Sequence, residues 1–364
     1  MKVKIVVAVL LVTLMTVCAG CNASLFRDTS PGPTASEPSI ETASSYPIKI
    51  VAIQKKNGES VGPFFYKSED GRVLKFETTG WWLKLSSIPT GIITSLAVDP
   101  TDSQIVYVVL YEGNHYKIVK TTDGGKTWTL CYNGYDEVGQ GGVSLAICNQ
   151  DHNILYMGGG GGAQKSMDGG KTWRLLDNGI ATYGFLVWTI AIDPNNNSIL
   201  FAGGEDQSAM LSATEGFIWE GGYWVEKNGT RKISPAELIP KYPHIPRLFY
   251  SENAGESWTE LTFQLEGGGS RYLLGSDEHP FVIGNPLKVI FDPKNSQVVY
   301  LGTEGMGLLR SKNGGKTWEP LISGIVGHIA IDSEGTLYIT STCDAKTVLQ
   351  SSDEGKTWRE TEAI

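Results

Sequence analysis

The sequence predicts an all-β fold: a single β-propeller of seven blades, with six as the alternative, each blade a four-stranded antiparallel sheet. Three observations predict it: an octapeptide that recurs along the chain, a second recurring unit upstream of it, and 44 glycines among 364 residues. Helical periodicity is scarce, and a repeat of about 20–50 residues is typical of solenoids and propellers.

The octapeptide, here called the box, reads TTDGGKTW at Thr121–Trp128, and near-copies begin at residues 166, 251, 311 and 351. Its spacing suits a hairpin turn in which Asp or Asn accepts backbone hydrogen bonds, a glycine takes a positive φ and the tryptophan packs inward. A catalyst is rarely built five times over, so these residues are predicted to be structural. They are Asp123, Trp128, Asp168, Trp173, Asn253, Trp258, Asn313, Trp318, Asp353 and Trp358.

The second unit is an alternating strand, a polar turn that usually contains Asp-Pro, and another strand bearing an aromatic residue. Asp99, Cys148, Asp193 and Asp292 each stand eight positions before that aromatic residue. The same spacing makes SATEGFIW, Ser212–Trp219, a degenerate sixth box. A worn seventh copy is expected within Pro47–Ser87, using Trp81 or Trp82. One such sheet cannot bury both faces alone, so a ring of stacked sheets is predicted.

The box and its spacing resemble the Asp-box, or BNR-repeat, superfamily of propellers, which includes sialidases, xyloglucan-cleaving endoglucanases, the sortilin ectodomain and photosystem II assembly propellers. The resemblance covers nearly all the chain beyond residue 47. It implies that the box lies on the outside, away from any active site. The sialidase version fits poorly, because no Arg-Ile-Pro begins the domain. The xyloglucan-cleaving enzymes use one aspartate from each of two propellers, so no catalytic residue is carried over to a single propeller.

Residues 1–20 predict an export signal, because two lysines precede a short apolar run, Ile5–Val17. Ala19-Gly20-Cys21 resembles the lipobox of bacterial lipoproteins, which implies lipidation of Cys21; simple secretion is the alternative. Residues 21–46 are rich in Ser, Thr, Pro and Ala and predict a flexible tether. The propeller is expected to span residues 47–364, outside the cytoplasm and anchored to the bacterial membrane by lipid alone.

The charge and the cysteines exclude several classes of function. The net charge is -9, and about -11 without Lys2 and Lys4, the wrong sign for a nucleic-acid partner. Cys131, Cys148 and Cys343 have no CxxC spacing, so they are expected to be small buried residues, or one pair a disulfide. The histidines show no metal-ligand spacing. No metal or cofactor is predicted, and a monomer is expected.

If the box joins the third and fourth strands, it shares one face of the propeller with the Asp-Pro turns. The opposite face, here called the loop face, then holds the loops that differ most between copies, and binding residues concentrate on such loops. Carboxylates among aromatic rings suit a sugar-binding surface; the alternative is that they only keep the protein soluble and cap the blades. The predicted ligand-binding residues are Glu112, Tyr116, Tyr135, Asp136, Trp188, Arg271 and Tyr272.

The predicted function is therefore binding of a glycan or protein partner without chemistry. The alternative is a glycoside hydrolase acting on a polysaccharide, which needs two carboxylates about 5–5.5 Å or about 6.5–9.5 Å apart. The weak catalytic candidates are Asp206, Asp277, Glu205 and Glu278. A third hypothesis, an assembly factor for a membrane protein complex, rests on analogy alone.

Overall fold

The structure is a computed structural model. It describes residues 49–51, 64–69, 72–76, 82–84, 92–99, 102, 104–112, 115–135, 142–159, 162–180, 185–206, 217–220, 223–226, 232–233, 245–261, 285–332, 334–340 and 348–360.

Five four-stranded antiparallel sheets carry the box and are the blades of a propeller. Blade 1 comprises β5 (Ile92–Val98), β6 (Val106–Glu112), β7 (His115–Thr121) and β8 (Thr129–Tyr135). Blade 2 comprises β9 (Gly142–Ile147), β10 (Leu155–Gly159), β11 (Gly162–Ser166) and β12 (Arg174–Leu175). Blade 3 comprises β13 (Phe185–Asp193), β14 (Asn196–Asp206), β18 (Ile245–Ser251) and β19 (Thr259–Glu260). Blade 4 comprises β20 (Pro286–Asp292), β21 (Asn295–Thr303), β22 (Leu308–Ser311) and β23 (Glu319–Ile322). Blade 5 comprises β24 (His328–Ile331), β25 (Leu337–Thr340), β26 (Val348–Ser351) and β27 (Arg359–Glu360).

Two further sheets carry no box. The N-terminal sheet comprises β1 (Lys49–Val51), β2 (Phe64–Glu69), β3 (Arg72–Phe76) and β4 (Trp82–Lys84). Its strand β1 contacts β5 and β24, so it lies between the first and the last blade. The insert sheet comprises β15 (Phe217–Glu220), β16 (Tyr223–Glu226) and β17 (Lys232–Ile233), and it lies in sequence between the second and third strands of blade 3.

The predicted count of seven blades, with six as the alternative, is wrong, because the box repeat builds five. The error begins at Ser212, where the eleven-residue spacing predicted a sixth box. In blade 3 the chain leaves the blade after Asp206 and returns at Ile245, so the box of this blade is Ser251–Trp258. Trp219 lies in the insert sheet, paired with Trp224. Residues 207–216 and Trp81 lie outside the described residues, whereas Trp82 begins β4 of the N-terminal sheet.

The hydrophobic core lies between neighbouring blades rather than within each one. One cluster joins Phe201 and Leu248 of blade 3 to Val299 and Leu309 of blade 4, and Trp318 of the blade 4 box belongs to it. Trp318 is 0% exposed. The box tryptophans of blades 2, 3 and 5 pack in the same way against the preceding blade. The tryptophan therefore joins two sheets, neither of which could bury its own apolar face.

Consecutive blades are also joined by polar contacts between their Asp-Pro turns. His152 of blade 2 lies 2.7 Å from Asp99 of blade 1. The Asn149 side chain donates to the Pro194 carbonyl at 2.9 Å, which joins blades 2 and 3. Asn195 makes the corresponding contact from blade 3 to blade 4, and Lys294 that from blade 4 to blade 5. This face of the propeller, here called the box face, is thus held together in chain order.

Candidate functional site

The box side chains are engaged in holding their own turns. In the first copy, Asp123 Oδ1 accepts from the backbone N–H of Lys126 at 3.0 Å and of Thr127 at 2.9 Å. The Thr127 hydroxyl donates to Oδ2 at 2.6 Å, and Thr121 donates to Oδ1 at 2.7 Å. These donors hold the pKa of Asp123 well below its ordinary range, because all of them favour the charged carboxylate. A base with a lowered pKa and a full set of donors is poorly placed to take a proton.

The asparagine copies reach the same geometry without a charge. Asn253 Oδ1 accepts from the Ser257 backbone N–H at 2.9 Å, while its Nδ2 donates to the Ser257 hydroxyl at 2.8 Å. Asn313 and Thr317 repeat this arrangement. The side chain thus serves the turn whether it is an aspartate or an asparagine, as a fold role requires and a catalytic role does not.

The Asp-Pro turns and the boxes share one face, as predicted. The box amide of Gly124 donates to the Gln104 carbonyl at 3.0 Å, and Gly169 donates to Asn153 at 2.9 Å. Blades 3 and 4 repeat the contact. The strand ends away from the boxes, such as Asp206 and Ile245 of blade 3, therefore lie on the loop face.

At the loop-face end of blade 1, two predicted binding residues, Glu112 and Tyr135, lie in register with His115 on the strand between them. Glu112 ends β6 opposite His115, and His115 lies opposite Tyr135 at the end of β8. Tyr116 is 6% exposed and packs in the core between blades 1 and 2. Glu112 and Tyr135 thus lie at the loop face, whereas the Tyr116 ring contributes to the core.

Two of the catalytic candidates end β14 at the loop face of blade 3. Asp206 lies 3.0 Å from the Arg247 guanidinium. Arg247 Nη1 also donates to the two carboxylate oxygens of Glu260, at 2.9 and 2.8 Å. Glu205 is 0% exposed. As neighbours in a strand, the two acids alternate between opposite faces of the sheet. Asp206 is therefore one member of an ion-pair network, and Glu205 belongs to the interior.

The structure does not describe the remaining predicted site residues, apart from Trp188. Asp136, Arg271, Tyr272, Asp277, Glu278, Cys21 and Cys343 lie outside the described residues. Cys131 and Cys148 are free thiols; Cys148 is buried as predicted, whereas Cys131 is only half-buried, contrary to the prediction.

Trp188 belongs to the central channel rather than to a loop tip. It lies in a β-bulge of β13, between Val187 and Thr189 in the pairing with β14. Its indole Nε1 is buried and has no acceptor among the described residues. The channel is a cavity of about 300 Å³ lined by the innermost strands of all five blades. Trp188 thus lies in the channel wall and carries a buried indole N–H, which can only donate.

Two channel residues were missed by the sequence analysis, Lys288 of blade 4 and His328 of blade 5. Lys288 is half-buried, and burial of its ammonium lowers its pKa. A signal for Lys288 was present, because the aligned repeats SLAVDP, SLAICN, TIAIDP and KVIFDP place it where earlier blades have serine or threonine. The substitution is informative only when the serine and threonine hydroxyls at this position are known to accept hydrogen bonds from the next blade.

Neither a metal centre nor a membrane span is found in the described part of the chain. No group of three or more possible ligands among its His, Cys, Asp and Glu residues could hold a metal ion. None of its residues forms a helix long and apolar enough to cross a membrane.

Comparison with known proteins shows that the chain is similar in fold to solved structures. No family model matches the sequence, and no curated protein matches it. A GH74 xyloglucanase from Xanthomonas campestris is similar in structure, with 15% identity, a TM-score of 0.51 and coverage of 87% of this chain but 45% of the enzyme. A chain of a nidogen/laminin complex has 15% identity and a TM-score of 0.52, with coverage of 83% of this chain and 92% of that one. YCF48 bound to D1 peptide has 13% identity and a TM-score of 0.46, with coverage of 86% and 82%.

The xyloglucanase and the nidogen/laminin chain share the propeller fold with this chain, which spans less than half the length of the xyloglucanase. At 15% identity the likeness shows the fold alone.

Proposed function

We propose that the protein is a binding propeller that captures a glycan or protein partner on its loop face and performs no chemistry there. Membership of the Asp-box superfamily and attachment to the outer side of a bacterial membrane through a lipidated Cys21 are part of this proposal. The observation that carries it is the unequal distribution of chain between the two faces. At the box face, short turns join the strands of blades 1 to 4 and bind one another through backbone hydrogen bonds. At the opposite end of blade 3, the chain leaves at Asp206, contributes the insert sheet and returns at Ile245.

The insert sheet is the strongest feature of that face. Its register places Trp219 opposite Trp224, and Trp224 opposite Ile233, so these residues share one face of the sheet. Aromatic residues at paired positions of a sheet are common on surfaces that bind sugars and peptides. Among the described sheets, β15, β16 and β17 make their main contacts with one another. The sheet is therefore an addition to blade 3 rather than part of its core.

A glycoside hydrolase is the second candidate, favoured by the structural likeness to the xyloglucanase. Against it, Asp206 is paired with Arg247 and Glu205 is buried, so blade 3 offers no carboxylate pair poised for acid and base roles. An assembly factor is the third candidate. It is a special case of binding a protein, as YCF48 is seen to bind the D1 peptide.

The test removes the insertion and leaves the blade. Asp206 lies opposite Ile245 in the β14–β18 ladder, so residues 207–244 are replaced by Asn-Gly, which closes a two-residue hairpin. Wild-type and shortened proteins are incubated with a panel of plant and bacterial polysaccharides, and retention and release of reducing sugar are read from the same tubes. Proximity labelling in cells compares the neighbouring proteins of the two forms. Lys316→Met, an exposed change on the box face, is the control.

We expect retention of a glycan, or labelling of a specific protein, that the shortened protein loses and Lys316→Met keeps. Release of reducing sugar by the wild type would contradict the proposal and favour the hydrolase. Equal retention and labelling by the wild-type and shortened proteins would place the binding elsewhere and also contradict it.

A further inference from the structure

At one position of the innermost strand, the side chain repeatedly accepts a hydrogen bond from the backbone of the next blade. This position is occupied by Ser95, Ser144, Thr189, Lys288 and His328 in blades 1 to 5. Ser95 Oγ accepts from the Leu145 N–H of the next blade at 3.1 Å, and Ser144 Oγ accepts from Ile190 N–H at 3.1 Å. Thr189 Oγ1 accepts from Val289 N–H at 3.0 Å. At three successive junctions, a hydroxyl of one blade thus binds the backbone of the next.

Blade 4 breaks the series, because the Lys288 side chain has no acceptor atom to offer blade 5. A lysine ammonium carries three donors and no lone pair, so the substitution exchanges an acceptor for a cation. Within the described residues no ion pair or hydrogen bond of Lys288 is found. The only influence on its pKa is desolvation, without a compensating carboxylate. A desolvated cation costs free energy unless a counter-charge is supplied, and such a group in a cavity is a candidate binding residue.

The surroundings of Lys288 define the ligand that would supply that counter-charge. Trp188, on the adjacent strand β13, contributes a buried indole N–H that lacks a described acceptor. His328, on the other neighbouring strand β24, occupies the equivalent position of blade 5. Both Lys288 and Trp188 can only donate, so they favour a group rich in acceptor oxygens. A carboxylate or another anion meets this requirement.

Aliphatic side chains form part of the channel wall, beside Ser95, Ser144 and Asn149, and this part favours some anions over others. Ala97, Ala146, Ile192, Ile290 and Ala330 line it together with other aliphatic residues. Its volume of about 300 Å³ is at the small end of the range for small-molecule sites, about 300–1,000 Å³. An inorganic anion would leave this apolar wall unused, whereas an aliphatic chain attached to the anionic group would cover it.

We propose that the central channel is a binding site for a small aliphatic carboxylate, whose oxygens pair with Lys288 and accept from the Trp188 N–H. The site is separate from the loop-face partner surface. The proposal for the channel does not depend on the proposed function. Lys288 supplies the charge, Trp188 orients the carboxylate, and the aliphatic wall of the innermost strands takes the chain.

The test is isothermal titration calorimetry on the full chain carrying Cys21→Ser, so that no lipid is attached. The probes are hexanoate, 1-hexanol of the same chain length, and sodium phosphate and chloride. We expect hexanoate to bind at one site and hexanol to bind at least about tenfold more weakly, because the alcohol has no charge to pair with Lys288. Phosphate and chloride are expected to compete poorly.

Two variants assign the binding to the channel. Lys288→Met should weaken hexanoate binding by about tenfold or more, while Lys316→Met, which changes an exposed lysine of the box face, should bind as wild type. Trp188→Phe keeps a ring in the bulge and removes the donor. The ¹⁵N–¹H signal that this variant lacks identifies the Trp188 indole, which should shift on addition of hexanoate to the protein with Trp188 intact.

Four results would overturn the inference: no hexanoate binding, equal binding of hexanol, unchanged binding by a folded Lys288→Met, or displacement of hexanoate by equimolar phosphate or chloride. The last would show a site for inorganic anions rather than for an aliphatic acid. If Trp188→Phe does not fold, the comparison of Lys288→Met with Lys316→Met still decides.

Discussion

Arg310 of blade 4 donates from its guanidinium to the backbone carbonyl of Glu354 in the box turn of blade 5, at 2.9 Å. The same side chain pairs with the Glu354 carboxylate at 3.0 Å and with Glu319 of its own blade at 2.6 Å. Lys165 makes a weaker version of the contact from blade 2, to the Ala254 carbonyl of the blade 3 box at 3.5 Å. A cation on the third strand thus fastens a blade to the box of the following one.

Loss of this contact should weaken the junction of blades 4 and 5. Arg310→Met keeps the aliphatic stem and removes every donor, and we expect the free energy of unfolding to fall by about 1–3 kcal/mol. The measurement is chemical denaturation at pH 7. Lys316→Met, also a loss of one positive charge but at an exposed box position, should stay within about 0.5 kcal/mol of wild type. An equal effect of the two variants would contradict a specific role for Arg310.

The box aspartate of blade 2 should make stability depend on acid pH. The Thr172 side chain and backbone N–H hold the pKa of Asp168 at about 2, below its ordinary value of 3.8. The stabilisation is present above the ordinary value and is lost as the pH falls from about 4 through about 2. Asp168→Asn should keep the turn, as Asn253 does, and should lose less stability than wild type over this range.

Thermal unfolding at pH 6, 4 and 2.5 checks the expectation for Asp168. The difference in Tm between Asp168→Asn and wild type should move in favour of the variant as the pH falls. A constant difference would mean that the carboxylate does not titrate as described.

Lys288 should show the opposite kind of dependence, on alkaline pH. Burial lowers its pKa below the ordinary 10.5, so the folded state bears a penalty at neutral pH that fades as the pH rises toward 10.5. Lys288→Met should therefore be more stable than wild type at pH 7 in the absence of ligand. The advantage should shrink at pH 10, as measured by urea unfolding. A destabilised variant at pH 7 would mean that Lys288 has a compensating partner.

The second glycine of the box should tolerate no side chain in blade 4. Gly315 has a φ of +87°, and a Cβ there would meet Phe201 Cζ at 2.8 Å. We expect Gly315→Ala to cost about 2–4 kcal/mol, from backbone strain together with overpacking. Gly335 has a φ of +91°, but its nearest atom is Lys294 Nζ at 3.5 Å. Gly335→Ala should therefore cost only the strain, about 1–2 kcal/mol, as read from denaturant unfolding of both variants.

The sequence was sufficient for the local structure of each repeat. The all-β class, the box as a turn between the third and fourth strands, and the shared face of box and Asp-Pro turns are all seen, because each follows from interactions within about ten residues. Thr121, Asp123 and Thr127 make their contacts inside one turn. Such contacts can be read from spacing alone.

The count of blades could not be read in this way. The interval from Phe201 to Ser212 equals that from Tyr300 to Ser311, yet in blade 3 the strand beside β14 begins at Ile245. Strand pairing over such a distance depends on which segment buries better against Leu200 and Ala202. The pattern of Phe217–Glu226 satisfied the period of a strand equally well. The channel was missed for a related reason, since Lys288 and Trp188 line one cavity only because of the order of the blades.

The chain of hydroxyls from Ser95 to Thr189 also has a consequence for cooperativity. Each of these side chains accepts a hydrogen bond from an amide of the following blade. Unfolding of one blade therefore removes a hydrogen bond from the next. Blades 1 to 4 are therefore expected to unfold as one unit, with the amide protons of Leu145, Ile190 and Val289 exchanging at a common rate. The series ends at Lys288, so blade 5 is joined to blade 4 by other contacts, among them those of Arg310 with Glu354, and its amides need not exchange at that common rate.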